Sequence, residues 1–209
     1  MIAEKWCKNV ILVDADYIDK VAFDLIVNFE RMLGRRIPQA DMARWIECVA
    51  LDGGLRFRGE KLEARGEKLE VRGERAIQVV LFHKQEKLEN FQPGAFIDLD
   101  GKAFQSDLGE VLISCVPVEE LTTMEELFSE SLQVISNAEE VSRLMVIPDA
   151  EHYYNKVREA FRHANPDQHV TVFAMQPMPS GQYRQEILGY SLMAALGIRS
   201  AELTAGSER

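Results

Sequence analysis

The chain has 209 residues, 46% of them hydrophobic and 28% charged, with a formal net charge of -10 and a pI near 5.0. That content excludes a disordered chain, and the length fits one domain with a large core. It also excludes a bilayer span, since no apolar run approaches roughly 20 residues, and a global basic field for nucleic acid or anionic lipid.

The opening Met1–Trp6 has no apolar h-region, so no secretory signal is expected. Cys7, Cys48 and Cys115 are too scattered for a disulfide framework or a cysteine zinc site. The expectation is a reduced, cytoplasmic protein of one domain, 1–209, with no membrane and no disulfide partner.

Lys8–Val13 is an apolar run ending in Asp14, which predicts a buried strand. From Asp16 the period changes: Ile18, Val21, Ala22, Leu25, Ile26, Phe29, Met32 and Leu33 keep the spacing of a one-faced helix. Asp16 is the expected N-cap and Gly34 the C-cap. A second helix follows Pro38, carries Met42, Trp45, Ile46 and Val49, and stops at Gly53-Gly54.

The next stretch repeats itself. Gly59–Arg65 and Gly66–Arg72 share the pattern Gly-Glu-Lys-Leu-Glu-x-Arg, and Gly73-Glu74-Arg75 begins a third unit. One reliably apolar position per seven is too few for a coiled coil, and a glycine in every unit opposes a helix. From Arg56 to Arg75 there are 7 Lys and Arg against 5 Asp and Glu, which leaves the rest of the chain at -12. A basic arm for a phosphate backbone is one reading. Interleaved glutamates nearly cancel the arginines, so the reading adopted is a solvated, mobile insertion over 56–75.

Ala76–Phe82 is β-branched and apolar, a second buried strand, and Phe96–Phe104 is expected to be a small hairpin turning at Asp100-Gly101. Strand and helix then alternate. Val111–Val116 is a strand, and Thr122 opens a helix through Ile135, with Thr122 and Glu125 as a capping box. Leu144–Ile147 is a strand, Tyr154, Val157 and Phe161 mark a helix, and Val170–Phe173 is a strand. Ser180 caps a last helix through Ile187, Leu188, Leu192 and Met193 to Gly197, and the tail 201–209 is expected to fray. The fold class predicted is α/β: a three-layer sandwich around a mainly parallel sheet of about five strands.

In such sheets ligands bind beyond the carboxyl ends of the strands, where strand order reverses. The first strand delivers Asp14 and Asp16 there, and the second His83 and Lys84. Glu119, Glu120, Glu125 and Glu126 follow the third, and Asp149, Glu151 and His152 the fourth. Crowded carboxylates raise one another's pKa unless a cation neutralises them, and hard oxygen ligands suit Mg²⁺ or Mn²⁺. Helix caps also collect acids on this rim, which is the plainer account of each glutamate taken singly. No Gly-rich phosphate loop, dinucleotide fingerprint, nucleophile elbow or zinc-spaced histidine set is present.

Val10–Asp16 and Leu144–Glu151 resemble the PIN-like ribonuclease fold, NYN domains in particular, which carry acids after the first strand, mid-chain and after the fourth strand. The resemblance implies Asp14, Asp16 and Asp149 as catalytic carboxylates and metal ligands, joined by a mid-chain glutamate such as Glu125 or Glu126, with Mg²⁺ or Mn²⁺ as cofactor and RNA as partner; His83, Lys84 and Glu151, which follow the second and fourth strands, are the expected substrate-binding positions. Asp16 stands where NYN domains usually carry Asn. The whole chain, notably Phe29–Pro38 and Ala50–Gly54, is similar to a bacterial family of unknown function.

Two other readings are carried. One is a non-catalytic interaction module on the same fold, with a protein partner or a homo-oligomer. The other is a haloacid-dehalogenase-like phosphatase, on the strength of Asp14-Ala15-Asp16, although Tyr153-Tyr154 stand where its second acid belongs.

Overall fold

Every residue of the first strand, β1 (Asn9–Asp14), is buried, as an apolar run covered on both faces must be. The computed structural model describes residues 5–57, 59, 61–64, 67–70 and 75–206. After β1 come α1 (Ala15–Leu33), β2 (Ala40–Asp41), α2 (Met42–Asp52), β3 (Lys61–Ala64), β4 (Glu67–Glu70) and β5 (Ala76–His83). The middle of the chain forms β6 (Phe91–Gln92), α3 (Phe96–Leu99), β7 (Ala103–Ser106), β8 (Gly109–Pro117) and α4 (Met124–Ser136). The remainder is β9 (Arg143–Ile147), α5 (Ala150–Ala160), β10 (His169–Ala174), β11 (Arg184–Ile187), α6 (Leu188–Ala195) and α7 (Ser200–Gly206).

The main sheet has seven strands in the order β11-β10-β9-β1-β5-β8-β7. All neighbours are parallel except β7 and β8. Alternation along β1 sends Ile11 and Val13 into a core with α1, α2 and α6, and Val10 and Leu12 into a second core with α4 and α5. The three-layer α/β expectation therefore stands.

The strand count does not. Five strands were expected, and β7 and β11 are added at the two edges. Phe96–Leu99, expected as the first arm of a hairpin, is a helical turn; the hairpin lies one step on, where β7 pairs with β8 from Ala103↔Leu112 to Ser106↔Gly109. Asp100 is held elsewhere, its Oδ1 accepting the Cys115 N–H at 2.8 Å. The last helix starts at Leu188, because Arg184–Ile187 pairs with β10 as a parallel edge strand rather than continuing from Ser180. Ser200–Gly206, expected within the fraying tail, is helical, and Glu202 anchors it through a bidentate pair with Arg35 at 2.8 and 3.0 Å.

The repeat forms its own two-stranded sheet. β3 and β4 pair antiparallel, with Leu62 opposite Leu69, and neither joins the main sheet. The side chains of that hairpin, on which the expectation of a solvated, mobile insertion turns, lie outside the described residues. Among the described residues no helix is long and apolar enough to cross a membrane, and the three cysteines are free.

After β1 the chain builds β5 and β8 to one side, then crosses to lay β9, β10 and β11 on the other. The reversal falls between β1 and β9, which pair from Asn9↔Arg143 to Val13↔Ile147. Asp14 closes the first of these strands, and Asp149 lies just past the end of the second.

Candidate functional site

A cleft of about 370 Å³ opens at that reversal, lined among others by Asp14, Asp16, Lys84, Glu125, Asp149 and His152. Each of these reaches it from a different local device. Asp14 ends β1 and is 3% exposed. Its Oδ1 accepts the Tyr17 N–H at 3.0 Å, so Asp14, not the expected Asp16, caps α1. Its Oδ2 accepts the Tyr153 hydroxyl at 2.6 Å.

Freed from the cap, Asp16 reaches across to the loop after β5, where its carboxylate accepts the Lys84 N–H at 2.9 Å and the Gln85 N–H at 3.4 Å. Asp149 caps α5, accepting from the Glu151 and His152 amides, and its Oδ2 accepts the His152 Nδ1–H at 2.7 Å. The capping box of α4 is Thr123 with Glu126, one residue beyond the expected Thr122 and Glu125. That shift leaves Glu125 uncommitted to the cap. It lines the cleft and pairs with Lys156 at 3.4 Å.

Burial raises the Asp14 carboxyl from an ordinary 3.8 to about 6. The bonds from Tyr153 and Tyr17 pull the other way, and the nearby Asp16 and Asp149 carboxylates add to the rise. Burial also pushes the Tyr153 and Tyr17 hydroxyls up; the Asp14 charge reinforces it for Tyr153, and the Glu151 and Asp149 charges for Tyr17. Both hydroxyls therefore stay protonated donors.

Glu151 sits at the rim. It accepts the Tyr17 hydroxyl at 3.4 Å and meets Lys20 at 3.8 Å. Asp149, Glu151 and His152 each offer a ligand atom within 4.8 Å of the others. His83 is not brought in: its ring stacks on Phe96 with centroids 3.6 Å apart, and its Nδ1 donates to the Gln85 carbonyl at 2.9 Å. Lys84 lines the cleft, and among the described residues its ammonium has no ion-pair partner.

One contributor, Tyr153, is not marked in the sequence as part of the site, and a second, His152, is marked without its partner. Tyr153 lies one helical turn past Asp149, at a point where α5 leaves helical angles (φ -133°, ψ 28°). His152 was visible as a residue after the fourth strand, but its bond to Asp149 follows only from the cap geometry.

The model of a family of unknown function (DUF6621) matches residues 3–203. The chain belongs to that family. No curated protein and no solved structure matches it. Among the described residues, the ligand atoms close enough to share one cation are those of Asp149, Glu151 and His152, two carboxylates and an imidazole, while Asp14, Asp16 and Glu125 line the same cleft outside that group.

Proposed function

We propose that this protein is a metal-dependent phosphodiester hydrolase acting on RNA, in the manner of the PIN-like and NYN ribonucleases that its acidic layout resembles. One observation carries the reading: Asp14 and Asp149, from the ends of adjacent strands, meet Asp16 and Glu125 in a single cleft at the point where strand order reverses. Asp14, Asp16, Asp149 and Glu125 would hold Mg²⁺ or Mn²⁺. When bound, the cation supplies polarisation of a phosphodiester oxygen and a lowered pKa for the attacking water.

The chain's own groups do the rest. Tyr153 and Tyr17 fix the Asp14 and Glu151 carboxylates from the protein side. With its Nδ1–H committed to Asp149, His152 has Nε2 left to take or return a proton at the cleft. Lys84 provides a cation for a backbone phosphate.

A second reading, the non-catalytic interaction module, is favoured by the fact that Asp14, Asp16 and Asp149 are each already hydrogen-bonded by the chain's own donors. Cleavage separates the two. A mixed single-stranded RNA pool with Mn²⁺ should be cut by the wild type and at least roughly tenfold more slowly by Asp14→Asn, since one ligand carboxylate is lost. Equal cleavage by both, or none by either, would end the hydrolase reading.

A further inference from the structure

The opposite edge of the sheet carries the reverse charge. Arg143 begins β9 and Arg184 begins β11, so both stand at strand starts, away from the acidic cleft. The Arg143 guanidinium donates to the Gly53 carbonyl at 2.7 Å, just past the end of α2. Arg56 donates to the Leu51 and Leu55 carbonyls nearby, and Arg75 to the Arg56 carbonyl. Among the described residues, backbone carbonyls and not carboxylates hold these guanidiniums, and burial together with the nearby Arg75, Arg56 and Arg184 charges makes the Arg143 charge costly. Arg184 does pair with Glu186.

Two hollows adjoin there. One, of about 400 Å³, is lined by Arg143, Arg184, His169 and Thr171; the other, of about 480 Å³, by Arg158, Arg162, Phe161 and Asn155. Gln182 and Tyr183 line both, so the two hollows border each other at these residues. Tyr183 is braced by Phe161, with centroids 5.1 Å apart, and by a 2.7 Å bond to the Tyr154 hydroxyl. Arg158 and Arg162 are exposed one turn apart, and among the described residues neither has an ion pair or a side-chain hydrogen bond. Glu159 shares their hollow, and Asp52 lies close to Arg184 and Glu186. The first hollow also borders Gln168, whose Nε2 donates to the Ile135 and Val141 carbonyls while its buried Oε1 has no partner among the described residues.

Guanidiniums in both hollows, with a partly exposed aromatic ring between them, suit a strand that presents phosphates and unpaired bases together. We infer that this edge, with Arg143 and Arg184 on one side of Tyr183 and Arg158 and Arg162 on the other, is a binding site for single-stranded nucleic acid, separate from the acidic cleft. A duplex offers no unstacked base to Tyr183, and an acidic peptide none at all. The site stands whether or not the cleft cuts RNA.

The test is the anisotropy of a short fluorescein-labelled single-stranded RNA, read in EDTA so that cleavage plays no part. Wild type should bind the strand with no metal present. Arg158→Gln with Arg162→Gln should weaken binding about tenfold, and the slope of log affinity against log salt between about 50 and 200 mM should fall by about 1.4, from two lost phosphate contacts. A control pair of equal charge change at exposed sites elsewhere, Arg31→Gln with Lys102→Gln, should bind within twofold of wild type, roughly the noise of such a measurement. Single-stranded DNA of the same sequence should compete, because nothing in the arrangement depends on a 2′-hydroxyl. Equal loss in the control pair, no RNA binding by wild type, or competition as strong from duplex or polyglutamate would overturn the inference.

Discussion

Asp14 concentrates the chemistry of this molecule in one side chain. Its carboxyl is raised from 3.8 to about 6 by burial, so the native state holds that proton more tightly than the unfolded chain does. Below about pH 4 both states are protonated and nothing is lost. As pH climbs from about 4 to 6, the native state loses about 3 kcal/mol, at about 1.4 kcal/mol per pH unit. Asp14→Asn removes that loss while keeping a good N-cap residue. It should therefore melt above wild type at pH 7.5, with the gap closing as pH falls toward 4.5; a gap independent of pH would show that the carboxyl is not the cause. The importance of Asp14 was legible because it ends an apolar run just before a helix. Its cap role was not, since Asp14 and Asp16 are both acids near the same helix start. Nor was its bond to Tyr153, which spans 139 positions and depends on how two strands pair.

The same contrast holds among the helices and strands. β1, β5 and β9 announce themselves because a strand covered on both faces must be apolar nearly throughout, and β8 and β10 by the apolar runs at their centres. Edge strands carry no such mark. β7 is half exposed in alternation, and β11 reads Arg-Gln-Glu-Ile, a pattern that propensity alone assigns to neither strand nor helix. At α4 the run Thr122-Thr123-Met124-Glu125-Glu126 holds two overlapping capping boxes, and only backbone geometry chooses between them. That choice decides which glutamate is free for the cleft. Thr123→Ala should cost about 1 kcal/mol in denaturant unfolding, and Thr122→Ala within about 0.5 kcal/mol of nothing. The reverse ranking would return Glu125 to the cap and take it from the site.

Across the molecule, the fold sorts charge that the sequence scatters. Net charge alone, at -10, argued against any nucleic-acid partner. Yet Arg143, Arg158, Arg162 and Arg184 gather at one edge of the sheet and Asp14, Asp16, Glu125 and Asp149 at the other. Parallel strands make this possible, because they send every strand start to one edge and every strand end to the opposite one. The acidic edge was foreseeable from the residues that come after each strand. The basic edge was not, since its arginines sit at two strand starts and around the end of α5, far apart in the chain. Whether the acidic edge is a cation site is tested directly by calorimetric titration with Mn²⁺. Wild type should bind Mn²⁺, more tightly at pH 8 than at pH 6 because the cation must displace the Asp14 proton. Asp149→Asn should bind at least roughly tenfold more weakly. No heat of binding with wild type, or equal affinity in both proteins, would contradict the account.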